Sequence, residues 1–246
     1  MKYSAIIIST ILLLAFATEV KAQLLQETFV SSSRQIRVEE LASSEMQNLF
    51  PDMVEGIVYQ NDKESERLLN YHVLFGLFYT TDRRATRVYL RPDGIDSIRV
   101  ADMVFRFFHG DGYFEVIPTG QEATLLKRHS VDVLSETVTV GAYGSTSRSA
   151  SAQSVESLVQ LGMGEFVDRS VLLENPAGQE LHVTLRRHER FYLLKDDSPV
   201  RVNSRRALLR EFSEHRSDLR GFLRQHDIDF SVEADMARLA AFIHSL

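Results

Sequence analysis

Nucleophilic or metal chemistry in this chain would need a histidine, and the sequence contains eight of them. A serine hydrolase needs a histidine beside a nucleophile held on a sharp turn, and the Gly-x-Ser-x-Gly motif of such a turn is absent. Gly144-Ser145 falls in a serine-rich stretch, which is a poor place for a preorganised nucleophile. The chain has no cysteine, so a thiol nucleophile and a thiolate zinc site are excluded. The histidines are His72, His109, His129, His182, His188, His215, His226 and His244.

Metal-binding patterns are equally weak. His182 and His188 are six positions apart, and no His-Glu-x-x-His pair occurs. The segment Asp93-Gly94-Ile95-Asp96 lacks the carboxylate that ends a calcium-binding loop, so we interpret it as a hairpin turn. Glycine-rich phosphate loops and dinucleotide fingerprints are also absent. The sequence therefore predicts neither a metal site nor a cofactor.

Two acids near each other, Asp111 and Glu115, have the residue type that glycosidases use. Glu115 stands on a predicted strand and Asp111 in the turn before it. Neighbouring acids are common by chance in a chain with 34 Asp and Glu residues, so we interpret both as solvated. No catalytic residue is predicted.

A dense set of aromatic residues supports two interpretations. Such residues usually form the core on alternate faces of strands, and we favour that interpretation. The alternative is a cavity for an apolar ligand, either a lipid or a glycan. The set is Tyr71, Phe75, Phe78, Tyr79, Phe105, Phe107, Phe108, Tyr113 and Phe114.

The elements that would position these residues are short β-strands between Glu55 and Arg128. Runs of alternating apolar and polar residues are separated by turn residues such as those of 61–63 and 109–112. Gly76 marks a bend or a break in one long run. Short connections favour antiparallel pairing. We predict an α+β fold, in which an antiparallel β meander forms an open barrel, roll or sandwich and a C-terminal three-helix segment follows.

At the end of this stretch and beyond it the same pattern returns in pieces. We predict further strands at Leu125-Leu126 and at 138–140, and a surface loop at 144–153, where serine is frequent and apolar area is small. A short helical turn is predicted at 155–161. Two hairpins are then expected, which complete a β-rich body of residues 23–202. The first joins 166–173 to 180–185, and the second joins 191–194 to 199–202.

Residues 203–246 form the predicted helical C-terminal module. Asn203 or Ser204 is a suitable N-cap, and the periodicity changes from two to about 3.6 residues. A stripe of apolar residues must be covered, because helices this short are marginal in water. We expect the other two helices together with the β-rich body to cover it, with docking to an envelope protein partner as the alternative. The stripe is Val232, Met236, Leu239, Ala240 and Ile243.

The N-terminus predicts export. Lys2, an apolar run at 5–16 and Val20-Lys21-Ala22 before Gln23 match a signal peptide over residues 1–22. No later stretch has the roughly 20 consecutive apolar residues of a membrane span. The net charge of −6 argues against nucleic acid as a partner. An exported chain without cysteine fits a periplasmic or secreted bacterial protein.

Several stretches resemble an uncharacterised family of exported Bacteroidetes proteins with a β-rich body and C-terminal helices. They are Asn70-Tyr71, the run Gly110-x-Gly112-Tyr113-Phe114-Glu115-Val116, Tyr143-Gly144-Ser145, Leu209-x2-Phe212, Leu219-x2-Phe222-Leu223, Ile228-Asp229-Phe230 and Asp235-Met236-x2-Leu239. The resemblance implies an envelope location and carries over no functional residue. We therefore expect an exported cell-envelope protein of structural or interaction type. The alternative is a binding module for a lipid or glycan within the β-rich body.

Overall fold

The structure is a computed structural model, and it describes residues 25–119, 125–140, 146–154, 171–175 and 179–246. Within these ranges the side chains of residues 137–140, 146–149 and 153–154 are not described. The predicted signal peptide at 1–22 and the predicted helical turn at 155–161 lie outside the described residues, as does most of the predicted strand at 166–173.

The described part of the chain is mostly strand, with short helices near both of its ends. The strands are β1 Gln26–Ser31, β2 Gln35–Arg37, β3 Val54–Gln60, β4 Lys63–His72, β5 Leu77–Thr81, β6 Arg87–Tyr89, β7 Ile95–Val100, β8 Met103–Phe108, β9 Gly112–Ile117, β10 Leu125–Val140, β11 Thr146–Ser154, β12 Leu172–Glu174, β13 Leu181–Lys195 and β14 Ser198–Arg201. The helices are α1 Val38–Leu41, α2 Ser44–Gln47, α3 Arg205–Glu211, α4 Arg216–Gln225 and α5 Glu233–His244, with a 3-10 turn at Ser213–His215.

One large antiparallel sheet contains nearly all of these strands, in the order β1-β13-β10-β9-β8-β7-β3-β4-β5-β6. Strand β11 adds to β10, and β14 adds to β13. Among the described strands, β1 and β6 do not pair with each other, so the sheet is not closed. A separate small sheet joins β12 to β2. The prediction of an antiparallel, β-rich fold with helices near its C-terminus is confirmed.

The tight hairpins form where the turn residues predict them. Asn61 and Asp62 both have positive φ, 50° and 60°, as the two-residue turn between β3 and β4 requires. The glycine-rich turn at 109–112 joins β8 to β9, and the predicted pairing of 191–194 with 199–202 is the β13–β14 hairpin. Gly76, with φ 64°, separates β4 from β5, so the long apolar run is two strands.

Three predictions for the second half of the chain are wrong. The separate strands expected at 125–126 and 138–140 are one strand of 16 residues, β10. Most of the loop expected at 144–153 is strand β11, paired with β10 from Thr146 to Ser154. Serine and alanine offer little apolar area. Their backbones can nevertheless form the hydrogen bonds that pairing with an existing strand provides.

The third wrong prediction concerns pairing. Strand β12 lies antiparallel to β2, with Leu173 opposite Ile36, and therefore does not form a hairpin with the strand that starts at Leu181. The residues expected to form separate strands at 180–185 and 191–194 belong to the single long strand β13. The turn residues identified the strands. They could not identify β2 as the partner of β12, because β2 is so distant in the chain.

Two hydrophobic cores lie along the sheet. The first, here called the body core, packs the strands against β2, α1 and α2. Its largest fully buried side chains are Met46, Leu69, Tyr71, Leu74, Phe78, Ile98, Phe105, Tyr113 and Leu185. The second, the tail core, packs helices α3 to α5 onto strand residues. Its buried members are Ile117, Leu125, Phe191, Leu193, Val202, Leu208, Phe212, Leu219, Phe222, Ile228, Met236, Leu239 and Ala240.

The tail helices start and pack as their sequence predicts. Ser204 is the N-cap of α3, and its side chain accepts a hydrogen bond from the Ala207 amide. In α5, Met236, Leu239 and Ala240 are fully buried, whereas Val232 at the start of the stripe is exposed. Residues of the other two helices and of the sheet, which share the tail core, therefore cover most of this stripe. None of the described helices is both long and apolar enough to cross a membrane.

Candidate functional site

The side chains that separate the two cores are charged. On β10, residues 131 and 133 point into the body core and Leu125 into the tail core, while Lys127 and His129 lie between them on the same face. On β9, Glu115 stands between Tyr113 of the body core and Ile117 of the tail core. The same change from apolar to polar to apolar thus occurs on neighbouring strands. We call Glu115, Lys127, His129, Glu189 and Glu233 the charged row.

Strand register brings the charged row together. Lys127 is directly opposite Glu115 on β9, and His129 is directly opposite Glu189 on β13. His129 Nε2 donates to Glu115 Oε2 at 2.8 Å, and Lys127 Nζ lies 3.1 Å from the same oxygen. From helix α5, Glu233 Oε2 accepts a hydrogen bond from Lys127 Nζ at 3.0 Å. Glu189 Oε1 lies 3.6 Å from His129 Nδ1 and 3.9 Å from Lys127 Nζ. The row therefore links three strands to the last helix.

These contacts shift the pKa values of two buried members of the row, Glu115 and Lys127. Burial by itself raises the pKa of the Glu115 carboxyl, but the hydrogen bond from His129 and the charge of Lys127 outweigh burial and lower that pKa. Burial by itself lowers the pKa of the Lys127 ammonium, but the carboxylates of Glu115, Glu233 and Glu189 raise that pKa above its ordinary value. Both groups are therefore charged at neutral pH.

The row has the residue types of an acid–base site but not its accessibility. The side chains of Glu115, His129 and Lys127 are only 8%, 5% and 12% exposed. A general acid or base must come within hydrogen-bond reach of a substrate. In this arrangement each group already forms hydrogen bonds or ion pairs with its neighbours in the row. These contacts join the two cores. The prediction that Glu115 is solvated is wrong, because Lys127, which lies opposite it on β10, supplies a positive charge. The sequence of β9 alone does not reveal this partner.

Most of the other histidines stand apart from one another. His72 is fully buried and stacks on Phe75 with ring centroids 4.2 Å apart, and its Nδ1 accepts a hydrogen bond from the Phe75 amide. Burial and the charge of Arg87 lower the pKa of His72 to about 3, so this ring is neutral. His182 contacts Glu180, and His188 lies 3.6 Å from Asp132.

The described residues contain no group of three or more His, Cys, Asp or Glu side chains placed to hold a metal ion. Gly94 has φ 71° in the turn before β7. The interpretation of this turn as a hairpin is wrong, because β6 pairs with β5 whereas β7 pairs with β3 and β8. The candidate nucleophile Ser145 lies outside the described residues.

The aromatic residues pack against one another. The ring centroid of Phe78 lies 5.0 Å from the ring centroids of Tyr71 and Phe105, and 5.3 Å from that of Tyr113. Such separations are those of aromatic pairs in a close-packed core. On the opposite face of the sheet Phe114 belongs to a smaller cluster and contacts Tyr192 at 4.9 Å. These contacts support the interpretation of the aromatic set as core.

A polar cleft of about 760 Å³ opens where β13 meets β14 and the segment between α4 and α5. It carries five carboxylates against two guanidinium groups. Arg190 is held by Asp132 at 2.7 Å, which leaves most of the remaining charge negative. Its lining residues are Asp132, His188, Glu189, Arg190, Phe191, Arg201, Val202, Asn203, Asp227, Ile228, Asp229, Phe230, Ser231 and Asp235. No sequence signal identified this cleft, because its walls come from separate elements.

No protein-family model, curated protein or solved structure matches this chain. The resemblance to exported Bacteroidetes proteins therefore stays a prediction.

Proposed function

We propose that this chain is an exported cell-envelope protein of structural or interaction type. The proposal rests on the contacts that the buried ionisable groups make. The charged row has the chemistry of an acid–base site, yet its buried members bind one another and the last helix. Groups that are fully engaged in joining two cores are not poised to act on a substrate.

The finer shape of the fold belongs to the same proposal. We infer that the sheet curves as an open barrel, roll or sandwich, and that 203–246 acts as a three-helix segment that stays with the sheet. The tail core supports this inference, because Leu125 and Phe191 of the strands and Leu239 of α5 share one cluster.

The surface that fits an interaction role best is the outer edge of β11. Among the described strands β11 pairs only with β10, and no described strand pairs with its other edge along Thr146–Ser154. Ala150 and Ala152 on this strand are exposed. An unpaired strand edge is a template for a strand from another chain. The apolar face of α5, by contrast, is already covered within the tail core by the other helices and the sheet, which removes the reason for expecting a partner there.

Binding of a lipid or glycan inside the β-rich body is the alternative function. The ring-to-ring packing of the aromatic residues does not favour it. Native mass spectrometry of the purified chain decides the point, because a carrier would retain bound lipid and a protein of the proposed type would not.

Export and interaction are tested separately. Fractionation of the source cells followed by N-terminal sequencing should find the chain in the envelope or medium with Gln23 first. A cytosolic chain with intact Met1 would overturn the export proposal.

For the interaction, a photocrosslinking amino acid is placed at Ala152 on the β11 edge or, as a matched control, at the exposed Arg220 on α4. We expect a discrete adduct with an envelope protein from position 152 alone. An adduct from position 220 alone would instead support docking through the helices, and adducts from neither would count against an interaction role.

A further inference from the structure

The charges of the C-terminal module are balanced in number but separated along the chain. Residues 203–246 carry seven Arg residues, seven Asp or Glu residues and no lysine. Six of the arginines lie on helices α3 and α4, and only three acids occur up to the end of α4 at Gln225. From His226 onward one arginine accompanies four acids. Helices α3 and α4 therefore form a basic half of the module.

The three acids of this basic half neutralise little of its charge. Lys195 Nζ, which belongs to the sheet, donates to Glu214 Oε1 at 3.0 Å. Arg210 Nε donates to Glu211 Oε1 at 2.7 Å. The third acid, Asp218, is exposed on α4 and lies two positions from its nearest arginines, so it points to a different side of that helix. Only Arg210 is thus paired with an acid of this half.

The exposed arginines form two stripes at helical spacing. Arg206 and Arg210 lie four positions apart on α3, and Arg216, Arg220 and Arg224 follow at the same spacing on α4. Residues four apart lie on the same face of a helix. All five are exposed, and apart from Arg210 none of them forms an ion pair with a described residue.

The two stripes meet at a groove of about 420 Å³ between α3 and α4. Arg206, Arg210 and Arg216 line this groove together with Leu209 and Ser213, and its described lining carries no carboxylate. A guanidinium group is planar and binds phosphate oxygens through paired hydrogen bonds. The groove is therefore suited to an anionic phosphate group.

The basic half extends beyond the groove. Arg220 and Arg224 continue the α4 stripe in steps of about 6 Å along the helix axis, and a small phosphate compound in the groove would leave them unused. An extended surface of phosphate groups contacts the groove and the stripe together. Anionic phospholipid headgroups form such a surface, and their attraction grows with each arginine close to them.

We propose that the exposed arginines of α3 and α4 bind the anionic phospholipid headgroups of an envelope membrane, with the groove between these helices holding one phosphate group. The inference rests on the proposed function, because it names the partner class of an exported envelope protein. The chain carries a net charge of −6, so this basic half, and not the carboxylate-rich cleft, is the side that an anionic membrane attracts.

The test measures cosedimentation of the purified chain from Gln23 onward with phospholipid vesicles. One set of vesicles contains phosphatidylcholine alone, and the other contains phosphatidylcholine with anionic phosphatidylglycerol. The test variant combines Arg206→Gln with Arg216→Gln. The matched control combines Arg83→Gln with Arg84→Gln, which removes the same charge from the exposed turn between β5 and β6.

We expect the wild type and the control to bind the phosphatidylglycerol vesicles alike, and the test variant to bind them about tenfold or more weakly. Binding should weaken as the salt concentration rises, because salt screens exposed charges. Vesicles of phosphatidylcholine alone should bind little. Thermal melts of both variants should match the wild type, because all four arginines are exposed.

Equal binding by the test variant and the control would contradict the proposal, and so would a wild type that binds neither set of vesicles. The same proteins are titrated with inorganic phosphate, followed by NMR at the amides of Arg206 and Arg216. Saturable phosphate binding without vesicle binding would replace the membrane by a soluble phosphate compound. A cytosolic chain in cells would defeat the export proposal while leaving this measurement on the purified protein intact.

Discussion

The body core and the tail core share strands but are built differently. The body core is rich in aromatic residues and is closed by elements from the start of the chain, including Val38 and Met46. The tail core is closed by helices from the end of the chain. Strands β9, β10 and β13 contribute residues of the same face to both. The helices therefore complete the sheet, since without them the ends of three strands would lose their cover.

The boundary between the cores explains the position of the charged row. A buried lysine or glutamate is tolerated only with partners, and register supplies them across three strands. Glu233 of α5 then makes the row a contact between sheet and tail. The following variants break one core or the boundary, in order of expected effect.

Leu239→Asp should have the largest effect, because Leu239 is fully buried in the tail core. An unpaired charge at that position should lower the free energy of unfolding by about 3–5 kcal/mol. Urea denaturation of the full chain measures this. The matched control is Ala241→Asp on the exposed side of the same helix, with a change within about 0.5 kcal/mol. Equal stability of both variants would contradict burial of the α5 stripe on the sheet.

Lys127→Met should lower the free energy of unfolding by about 2–4 kcal/mol, because the buried carboxylate of Glu115 loses one of its two partners. Adding Glu115→Gln should recover part of the loss, and the double-mutant cycle gives the coupling. Arg37→Met serves as the control, since the Arg37–Glu40 pair is more than half exposed and its loss should cost about 0.5 kcal/mol or less. A cycle with no coupling would mean that the row does not join the cores.

The same row predicts a dependence on acid. The pKa of Glu115 is lowered in the folded chain, so its contribution is present above the ordinary value of 4.5 and is lost as pH falls through the folded value. Stability measured from pH 6 to pH 3 should therefore fall less steeply below pH 4.5 in Glu115→Gln than in the wild type. Identical slopes would contradict the ionised state of Glu115.

His72→Leu probes the body core in the same way. Because the pKa of His72 falls from 6.5 to about 3 on folding, the unfolded chain binds a proton first as pH decreases. Between pH 6.5 and pH 5 the wild type should lose about 1.6 kcal/mol more than the variant, since the slope rises from half to the full ~1.4 kcal/mol per pH unit as the unfolded histidine becomes protonated. A variant with the wild-type slope would show that His72 is not held neutral.

Ser204→Ala should have the smallest effect, a loss of about 1 kcal/mol, because the Ala207 amide loses its N-cap acceptor. Ser217→Ala, within α4 and exposed, should be neutral or slightly stabilising. Thermal melts of the two variants separate a capping effect from a general effect of serine loss.

Local patterns in the sequence identified the strands between Glu55 and Ile117, the tight turns and the N-cap at Ser204. Each of these depends on residues within a few positions of one another. Pairings over long distances were missed, such as β12 with β2. The charged row was missed for the same reason. Alternation places Lys127 and His129 on one face of a strand, but only the register of β9 and β13 shows which carboxylates stand opposite them.

We expect the sheet and the tail helices to unfold as one cooperative unit joined by the charged row. Native-state hydrogen exchange on the full chain tests it most directly, by comparing the Leu239 amide in α5 with the Leu185 amide in β13. The opening free energy should be the same at both amides and equal to that of global unfolding. An opening free energy at Leu239 that is lower by several kcal/mol would contradict it, because the tail would then unfold while the sheet stays folded.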